Sequence, residues 1–372
     1  MKADSRLKST RVALTNLGIA LSRCFNGLRE DCGRLIKIRS NPVGSRPSTA
    51  TSDQLPVIFV SYAAGDDLRG SHKFCGGEKL LNNLVLILRR HGYEAWMVST
   101  DGGHADWLAE HAPFLSIEEF RRKLADAPDA RCVTSWMKAD AFLRHCPKFH
   151  FWDQELAASS RSHFPVLARA MRKGRIVETA GVNRVVQTWH MAVFGRQTHL
   201  LRQLVDENHW RPQEESRIRN RVGYFDEGTH TDSYIAAIRD AIRSAGLELE
   251  FFQLRGVERE IIAQMQTCGV FMALNIGKSP WGEGGPMTPQ EAMACGTVPV
   301  CFDLKGAWEL IQQNYNGVIL ADFTPGAMAK ALVDIYGIPG RLETMSQRCL
   351  KITASSHTME ARWDDVRRFL RL

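Results

Sequence analysis

Apolar residues follow two different periods along this chain of 372 residues. From residue 55 onward, short continuous apolar runs alternate with stretches in which apolar positions recur every three or four residues. The continuous runs are typical of parallel strands covered on both faces, and the spaced positions are typical of amphipathic helices. Alternation of the two predicts parallel sheets with helices on both sides. We therefore expect an α/β protein.

The alternation occurs twice, on either side of a polar stretch. It begins with LPVIFVSY, restarts with RVGYF at residues 221–225, and includes a predicted helix at residues 307–314. Residues 196–220 lack the pattern, which is typical of a connection between domains. Two domains also suit the length of the chain. We predict two tandem Rossmann-like, doubly wound parallel-sheet domains, at residues 55–205 and 206–355.

The net charge of +7 belongs to the first fifty residues. Residues 1–50 hold ten Lys and Arg against three acidic residues, so the charges of the remaining chain sum to zero. A domain that binds nucleic acid should carry its own basic face. This distribution therefore argues against nucleic acid as a partner.

A basic amphipathic helix is predicted within this extension. Between about residue 10 and residue 38, Leu and Phe recur at steps of three and four, with arginines around the stripe. Such a helix can lie on an acidic membrane surface, act as a targeting segment or pack on the adjoining domain. Residues 40–54 are typical of a flexible linker. We expect residues 1–40 to contact acidic lipid, which predicts a cytoplasmic protein that is peripheral at the inner face of the membrane.

Neither a metal nor a disulfide framework is indicated. The nine cysteines are odd in number and no pair has C-x-x-C spacing, which favours reduced thiols in the cytoplasm. No His and Cys have the spacing of zinc ligands, and no Asp-x-Asp is present. No apolar run reaches the roughly eighteen residues that a membrane-spanning helix needs. We therefore expect a protein that needs no metal and no cofactor besides its substrates.

Two carboxylates stand close together in the sequence WGEGGPMTPQEAMACGTVPV. Glu283 follows a predicted strand, where open parallel sheets bind ligands, and its carboxylate could accept hydrogen bonds from two sugar hydroxyls. Gly284 and Gly285 leave room for a diphosphate to approach the backbone at the start of the next helix. Two structural alternatives stay open: Glu283 could be a solvated loop acid, and Glu291 could close a helix capping box with Thr288.

The segment around these carboxylates resembles the donor-binding half of family 4 glycosyltransferases. The resemblance covers about residues 268–335 and rests on two Glu with seven residues between them, the helix EAMACG, the strand VPV and the segment LKGAWELIQQNYNGVIL. It implies the GT-B architecture, in which two Rossmann-like domains face a central cleft and a last helix, at residues 356–372, crosses back to the first domain. It also implies a retaining, hexosyltransferase-like enzyme that uses a nucleotide-sugar donor without a metal.

The resemblance implies roles for individual residues. Glu283 would contact the donor sugar and support charge at the reacting carbon, and Glu291 would bind the nucleotide ribose. Four glycines would offer backbone to the sugar or the diphosphate: Gly284 and Gly285 in the second domain, and Gly76 and Gly77 in the loop of the first domain that faces the diphosphate.

The chain departs from the family where cations should neutralise the diphosphate. The family has an Arg and a Lys shortly after the first strand of the second domain, but RVGYFDEGTHTDSY contains Asp226 and Glu227 and no Lys. A catalytically inactive nucleotide-sugar-binding protein on the same fold is therefore the alternative function. Four residues are candidates for the missing charge: Lys278 first, and then Arg219, Arg221 and Arg255.

The acceptor side has fewer candidates. Asp153 and Glu155 follow a strand of the first domain, where a catalytic base would lie, and we predict Asp153 as that base. A helix-cap or loop role is the alternative for either residue. His104 follows the second strand and is a weaker candidate. The acceptor would be a hydroxyl of a glycan, a lipid-linked glycan or a polysaccharide precursor.

Two other classes of protein fit less well. FVSYAAGDD resembles the first strand of a single-sheet signalling module, but such a module would leave the second half of the chain unexplained. A nicotinamide dehydrogenase should carry G-x-G-x-x-G after a first strand, and neither first strand is followed by it. The sequence therefore predicts a glycosyltransferase.

Overall fold

The computed structural model describes most of the chain beyond residue 54. The described residues are 55–62, 76–100, 102–103, 106–135, 137, 139–154, 164–226, 230–274, 287–303 and 306–372. The predicted amphipathic helix and linker of the amino-terminal extension lie outside these ranges. Within them, no helix is both long enough and apolar enough to span a membrane.

The first domain is built on a seven-stranded sheet. Its strands are β1 (Ile58–Ser61), β2 (Ala95–Val98), β3 (Phe114–Leu115), β4 (Arg131–Thr134), β5 (Phe149–Asp153), β6 (Ile176–Gly181) and β7 (His199–Leu200). They lie in the order β3-β2-β1-β4-β5-β6-β7, and every neighbouring pair is parallel. The connecting helices are α1 (Gly76–Arg90), α2 (Ile117–Asp126), α3 (Asp140–Leu143), α4 (Phe164–Arg172) and α5 (Arg184–Phe194).

The second domain is built on a five-stranded parallel sheet. Its strands are β8 (Ile218–Phe225), β9 (Glu250–Leu254), β10 (Cys268–Ala273), β11 (Val298–Phe302) and β12 (Val318–Leu320), in the order β12-β11-β10-β8-β9. Its helices are α6 (Thr231–Ser244), α7 (Glu258–Gln266), α8 (Met287–Ala294), α9 (Pro325–Tyr336) and α10 (Arg341–Ser356). The sheet topology confirms the predicted pair of Rossmann-like parallel-sheet domains.

Burial explains why the continuous apolar runs became strands. Strands β1, β5, β10 and β11 are buried at every position. A parallel strand with helices on both faces has no solvent side, so polar alternation is absent. Helix α1 is similarly enclosed, and every residue from Glu78 to Leu88 is buried. Its four buried polar side chains therefore need partners inside the protein.

The predicted helix at residues 307–314 is wrong. One 3₁₀ turn, Ala307–Glu309, forms there after Gly306, whose φ is +80°. The side chain of Asn316 then takes the place of helical hydrogen bonds, since its Oδ1 accepts from the Gln312 N–H at 2.7 Å and its Nδ2 donates to the Leu310 carbonyl at 3.0 Å. The segment is a loop that the buried Asn316 amide closes.

The chain crosses between the domains at two places that touch each other. Val205 and Thr358 form an isolated parallel bridge. The Val205 N–H donates to the His357 carbonyl at 3.2 Å, and the Met359 N–H donates to the Val205 carbonyl at 2.9 Å. The two crossings are therefore hydrogen-bonded to each other as a short ribbon.

A last helix, α11 (Trp363–Leu370), lies on the first domain. Nδ1 of His150, in β5, is 2.9 Å from the Phe369 carbonyl oxygen, and the Trp363 ring stacks on His91 at 3.7 Å between centroids. Burial lowers the pKa of His150 to about 4, so the imidazole is neutral and its Nδ1–H donates this bond. The carboxyl terminus thus completes the first domain.

We expect Phe369→Ala to lower the free energy of unfolding by about 3–5 kcal/mol, because the ring is fully buried between α11 and the first domain. Urea titration followed by circular dichroism measures this. The matched control is Phe323→Ala, where a 45% exposed ring stacks on Phe302 and the expected cost is about 1 kcal/mol. Equal costs for the two variants would contradict the docking of α11.

Candidate functional site

The amino-terminal ends of two helices from different domains face each other. Helix α1 begins at Gly76, and helix α8 begins at Met287. A Cβ built on Gly76 would lie 3.4 Å from Sδ of Met287, so the two helix ends are in contact. Helix amino termini carry unpaired N–H groups and partial positive charge, which favours anions. Two of them at one interface could bind an anionic group such as a diphosphate.

Three buried charged residues bridge the domains close to these helix ends. Nζ of Lys79, one turn into α1, contacts two carboxylates of the second domain. One belongs to Glu258, the first residue of α7, and the other belongs to Glu291, one turn into α8. We call these residues the interdomain ion triad. Their exposed fractions are only 5%, 6% and 5%. Charges this deeply buried are stable only when they are paired, so the triad ties α1 to the second domain.

Trp210 completes the surroundings of the ammonium. Its ring centroid lies 4.4 Å from Nζ of Lys79, a distance at which the ring face attracts a cation. The indole Nε1–H donates to Oε1 of Glu258 at 3.2 Å. Trp210 is itself 3% exposed and lies in the connection between β7 and β8. The connection therefore supplies one wall of the charged cluster.

The triad pairs two carboxyl groups with one ammonium. Burial lowers the pKa of Lys79, but the carboxylates of Glu291 and Glu258 outweigh this and hold the pKa above its ordinary value. Burial raises the pKa of Glu291, and Glu258 adds to the rise, while Lys79 opposes it. Lys79 is therefore positively charged at neutral pH, and the ionised form of Glu291 depends on it.

Glu258 also holds the backbone of the first domain. Its Oε2 accepts the N–H of Ala109 at 2.6 Å, and its own N–H donates to the Trp107 carbonyl at 2.9 Å. The guanidinium of Arg259 donates twice to the Ala109 carbonyl, at 2.9 and 3.1 Å. The start of α7 is thereby fixed against residues 107–109.

A second contact between the domains involves Glu309. Its Oε1 accepts the N–H of Arg184, the first residue of α5, at 2.6 Å, and its Oε2 accepts from Nε of Arg202 at 3.1 Å. A carboxylate at the start of a helix is favourably placed. The loop after β11 is thus joined to the first domain.

A cavity of about 500 Å³ opens at the carboxyl ends of β8 and β9. Open parallel sheets bind ligands at this edge, and the volume lies in the range of small-molecule sites. The turn after β9 is braced because the side chain of Gln264 accepts from the Arg255 N–H at 2.9 Å and donates to its carbonyl at 2.8 Å. The lining residues are Phe225, Asp226, Gln253, Leu254, Arg255, Gly256 and Ile261.

Some of the predicted site residues lie at the domain interface, and others lie outside the described residues. Gly76 and Gly77 begin α1 at the interface, and Glu291 is buried one turn away from it. The carboxylate of Glu291 contacts Lys79, a partner that the capping-box alternative did not include. Several predicted residues lie outside the described ranges: Glu283, Gly284, Gly285, Lys278, Glu155, Glu227 and His104.

Arg221 lies away from the carboxyl edge of the sheet. It is four residues before the end of β8, a distance of about 13 Å along a strand. Its Nε and Nη2 donate to the two carboxylate oxygens of Glu250 at 3.0 and 2.9 Å, and its guanidinium lies over the ring of Phe252. This placement does not support Arg221 as a ligand of the diphosphate. Arg255 lies at the correct edge, because it lines the cavity.

Asp153 is less accessible than a catalytic base should be. It ends β5, is 2% exposed, and its Oδ2 is 2.8 Å from Nε2 of His190, a fully buried residue of α5. The structure therefore shows Asp153 as an internal partner of His190. Its role as the base stays a prediction without support from this geometry.

Sequence reasoning missed Lys79, Glu258 and Trp210. The available signal was the segment GGEKLLNNLVLILRR, in which charged and amide residues interrupt a helix that is otherwise apolar. A lysine inside a buried helix requires a buried partner. The partner itself could not be identified from sequence, because Glu291 is 212 residues further along the chain.

Residues 234–349 match the family described as Glycosyl transferases group 1. The matched residues all lie in the second domain. The match includes Glu258, Glu291 and Glu309 and ends within α10. No curated protein sequence matches the chain. The narrower assignment to family 4 stays a prediction.

Solved structures resemble both domains together. Sucrose-phosphate synthase from Thermosynechococcus elongatus has a TM-score of 0.64 at 13% identity, over 85% of this chain and 98% of that chain. Anabaena HepE in complex with UDP-glucose has a TM-score of 0.61 at 16% identity, over 84% and 99%. A glycosyltransferase from Rickettsia africae has a TM-score of 0.64 at 10% identity, over 85% and 99%. At these identities the likeness establishes the GT-B fold.

We expect Gly256→Ala to lower the free energy of unfolding by about 1–3 kcal/mol. Gly256 has a φ of +106°, and an added Cβ would lie 1.9 Å from Oε2 of Glu260, which accepts the Val257 N–H at the start of α7. The matched control is Gly326→Ala, where a Cβ meets no atom within 4 Å and the expected change is within about 0.5 kcal/mol. Thermal unfolding of the two variants tests whether the turn that borders the cavity requires glycine at residue 256. Equal melting temperatures would show that alanine at this position causes no strain.

Proposed function

We propose that this chain is a glycosyltransferase that moves a sugar from a nucleoside diphosphate to a hydroxyl acceptor. The observation that carries the proposal is the contact between the amino termini of α1 and α8, one from each domain. The second of these helices lies within the residues that match the Glycosyl transferases group 1 family. A diphosphate beside them would meet the first N–H groups and the positive ends of two helix dipoles.

The rest of the donor can be assigned to neighbouring features. The ribose would bind Glu291, since a carboxylate accepts hydrogen bonds from two vicinal hydroxyls. The base would enter the cavity at the ends of β8 and β9, where Phe225 and Leu254 supply apolar surface. HepE, which shares the fold, has been solved with UDP-glucose, so a uridine donor is our first choice.

Transfer requires stabilisation of the departing diphosphate. Arg255 lines the cavity and Lys278 precedes Glu283 by five residues, so these two cations are our candidates for that role. Glu283 would support charge at the reacting carbon, as its resemblance to the family implies. We propose retention of configuration and no metal requirement, in line with the absence of Asp-x-Asp from the sequence.

One cluster in the described part of the chain has the ligand types for a metal, but it is poorly suited to the reaction. It consists of Glu110, Asp206 and His209. Nη2 of Arg90 already donates to Asp206 at 2.6 Å. Arg90 ends α1, so the cluster is about 20 Å from the helix start that would face the diphosphate. We assign this cluster to the packing of the domain connection.

The donor is identified by measuring nucleoside-diphosphate release from UDP-, GDP-, ADP- and dTDP-sugars in EDTA. We expect slow hydrolysis of one donor by the wild type. Glu283→Ala should reduce this rate by about 10²-fold or more, because a charge that supports the transition state is removed.

The matched control is Glu248→Ala, which removes an exposed carboxylate of the same domain and should keep the wild-type rate. Wild-type turnover by Glu283→Ala would refute the assignment of Glu283. Nucleotide binding without any turnover, with or without added glycan acceptors, would favour the inactive nucleotide-sugar-binding protein. Failure of all four nucleotides to raise the melting temperature would refute the proposed function.

Residues 1–40 are proposed to bring the enzyme to an acidic membrane surface that carries a lipid-linked acceptor. The basis is their concentration of Lys and Arg. We expect the full chain to sediment with vesicles that contain phosphatidylglycerol and to stay in solution with neutral vesicles. A chain that begins at residue 54 should sediment with neither, and unchanged sedimentation of this shorter chain would contradict the proposal.

A further inference from the structure

We propose that Lys79 is a positioning residue for the donor, which holds the carboxylate of Glu291 ionised and in place for the ribose. Because Lys79 belongs to the first domain and Glu291 to the second, the ribose site would be complete only when the domains are closed. The inference rests on the proposed function, since it gives Lys79 a task at the same donor site.

The contact geometry supports this role. Lys79 is one turn from Gly76 in α1, and Glu291 is one turn from Met287 in α8. Their bond therefore lies directly behind the two helix ends that would receive the diphosphate. The ring of Trp210 and the carboxylate of Glu258 hold the ammonium from other sides. The lysine is fixed, not a mobile surface cation.

The bond to Lys79 leaves Glu291 able to bind a ligand. An ionised carboxylate has about four lone-pair positions, and Lys79 contacts only Oε1. Two ribose hydroxyls can therefore bind while the ammonium remains. A protonated carboxyl group would accept more weakly, so the affinity for the ribose depends on ionisation.

Removal of the ammonium would leave two carboxylates facing each other in a buried site. Like charges at short range cannot both stay ionised, and burial already raises the pKa of Glu291. Without the opposing charge of Lys79, the pKa of Glu291 would rise further, so this carboxyl group would hold a proton more readily at neutral pH. Donor binding should become dependent on pH, with affinity recovering as rising pH ionises Glu291.

The coupling to domain closure follows from the same contacts. Opening of the cleft would separate Lys79 from both carboxylates and leave two like charges close together in the second domain. Ribose binding to the ionised Glu291 therefore favours the closed arrangement, and closure favours the binding of ribose in equal measure. Through Lys79, the affinity for the nucleotide would depend on contact between the two domains.

The test is calorimetric titration at pH 7, 8 and 9 with whichever of UDP, GDP, ADP and dTDP the wild type binds most tightly. We expect Lys79→Met to weaken binding by at least tenfold at pH 7 and to recover part of the loss by pH 9. The wild type should change less than threefold across this range. Lys79→Arg keeps the charge and should bind within about threefold of the wild type.

A second substitution separates positioning from a merely structural role. Adding Glu258→Gln to Lys79→Met removes the competing carboxylate, so Glu291 should ionise more readily and affinity at pH 7 should rise above that of Lys79→Met alone. Equal affinity of Lys79→Met and the wild type at every pH would overturn the inference, as would a loss that neither pH nor Glu258→Gln reduces.

The single variant Glu258→Gln tests the inference even if the Lys79→Met protein does not fold. With one carboxylate gone, Lys79 serves Glu291 alone, and we expect the affinity for the nucleotide to change less than threefold between pH 7 and pH 9; a recovery with rising pH like that of Lys79→Met would count against the inference. Absence of binding by the wild type to all four nucleotides would instead refute the proposed function.

Discussion

An ammonium removed from water must be matched by negative charge close at hand, and this requirement governs the interface between the two domains. Lys79 meets it with carboxylates that both belong to the other domain. Loss of one partner from a buried ion pair is costly, because the remaining charge is left without solvation. The pairing therefore favours the relative arrangement of α1, α7 and α8 that the structure shows, and the contacts of Glu258 with Ala109 and Trp107 reinforce it.

The same constraint connects the architecture to the chemistry. Each sheet directs the carboxyl ends of its strands, and the amino ends of the following helices, toward one edge. The triad brings two such edges together, so that the starts of α1 and α8 are in contact. A ligand with a central diphosphate is the chemical class that would use both.

The sequence predicts structure well where every position of a strand is buried. It predicts structure poorly where a residue's conformation depends on partners far away along the chain. Strands such as VPVCF were predictable because every position is covered. The two-residue edge strands β3 and β7 carry too short a signal. The loop after β11 has a helical pattern, which the positive φ of Gly306 and the buried amide of Asn316 override. Arg221 had the right chemistry for the site, but its pairing with Glu250 holds it elsewhere.

The paired crossings at Val205 and Thr358 have a consequence for the order of folding. The second domain is one continuous segment, whereas the first is completed by α11, whose fully buried Phe369 follows the entire second domain in the sequence. During synthesis the second domain has its whole sequence available before the first domain does. The amino-terminal sheet, although made first, must wait with its α11-binding surface uncovered until α11 has left the ribosome.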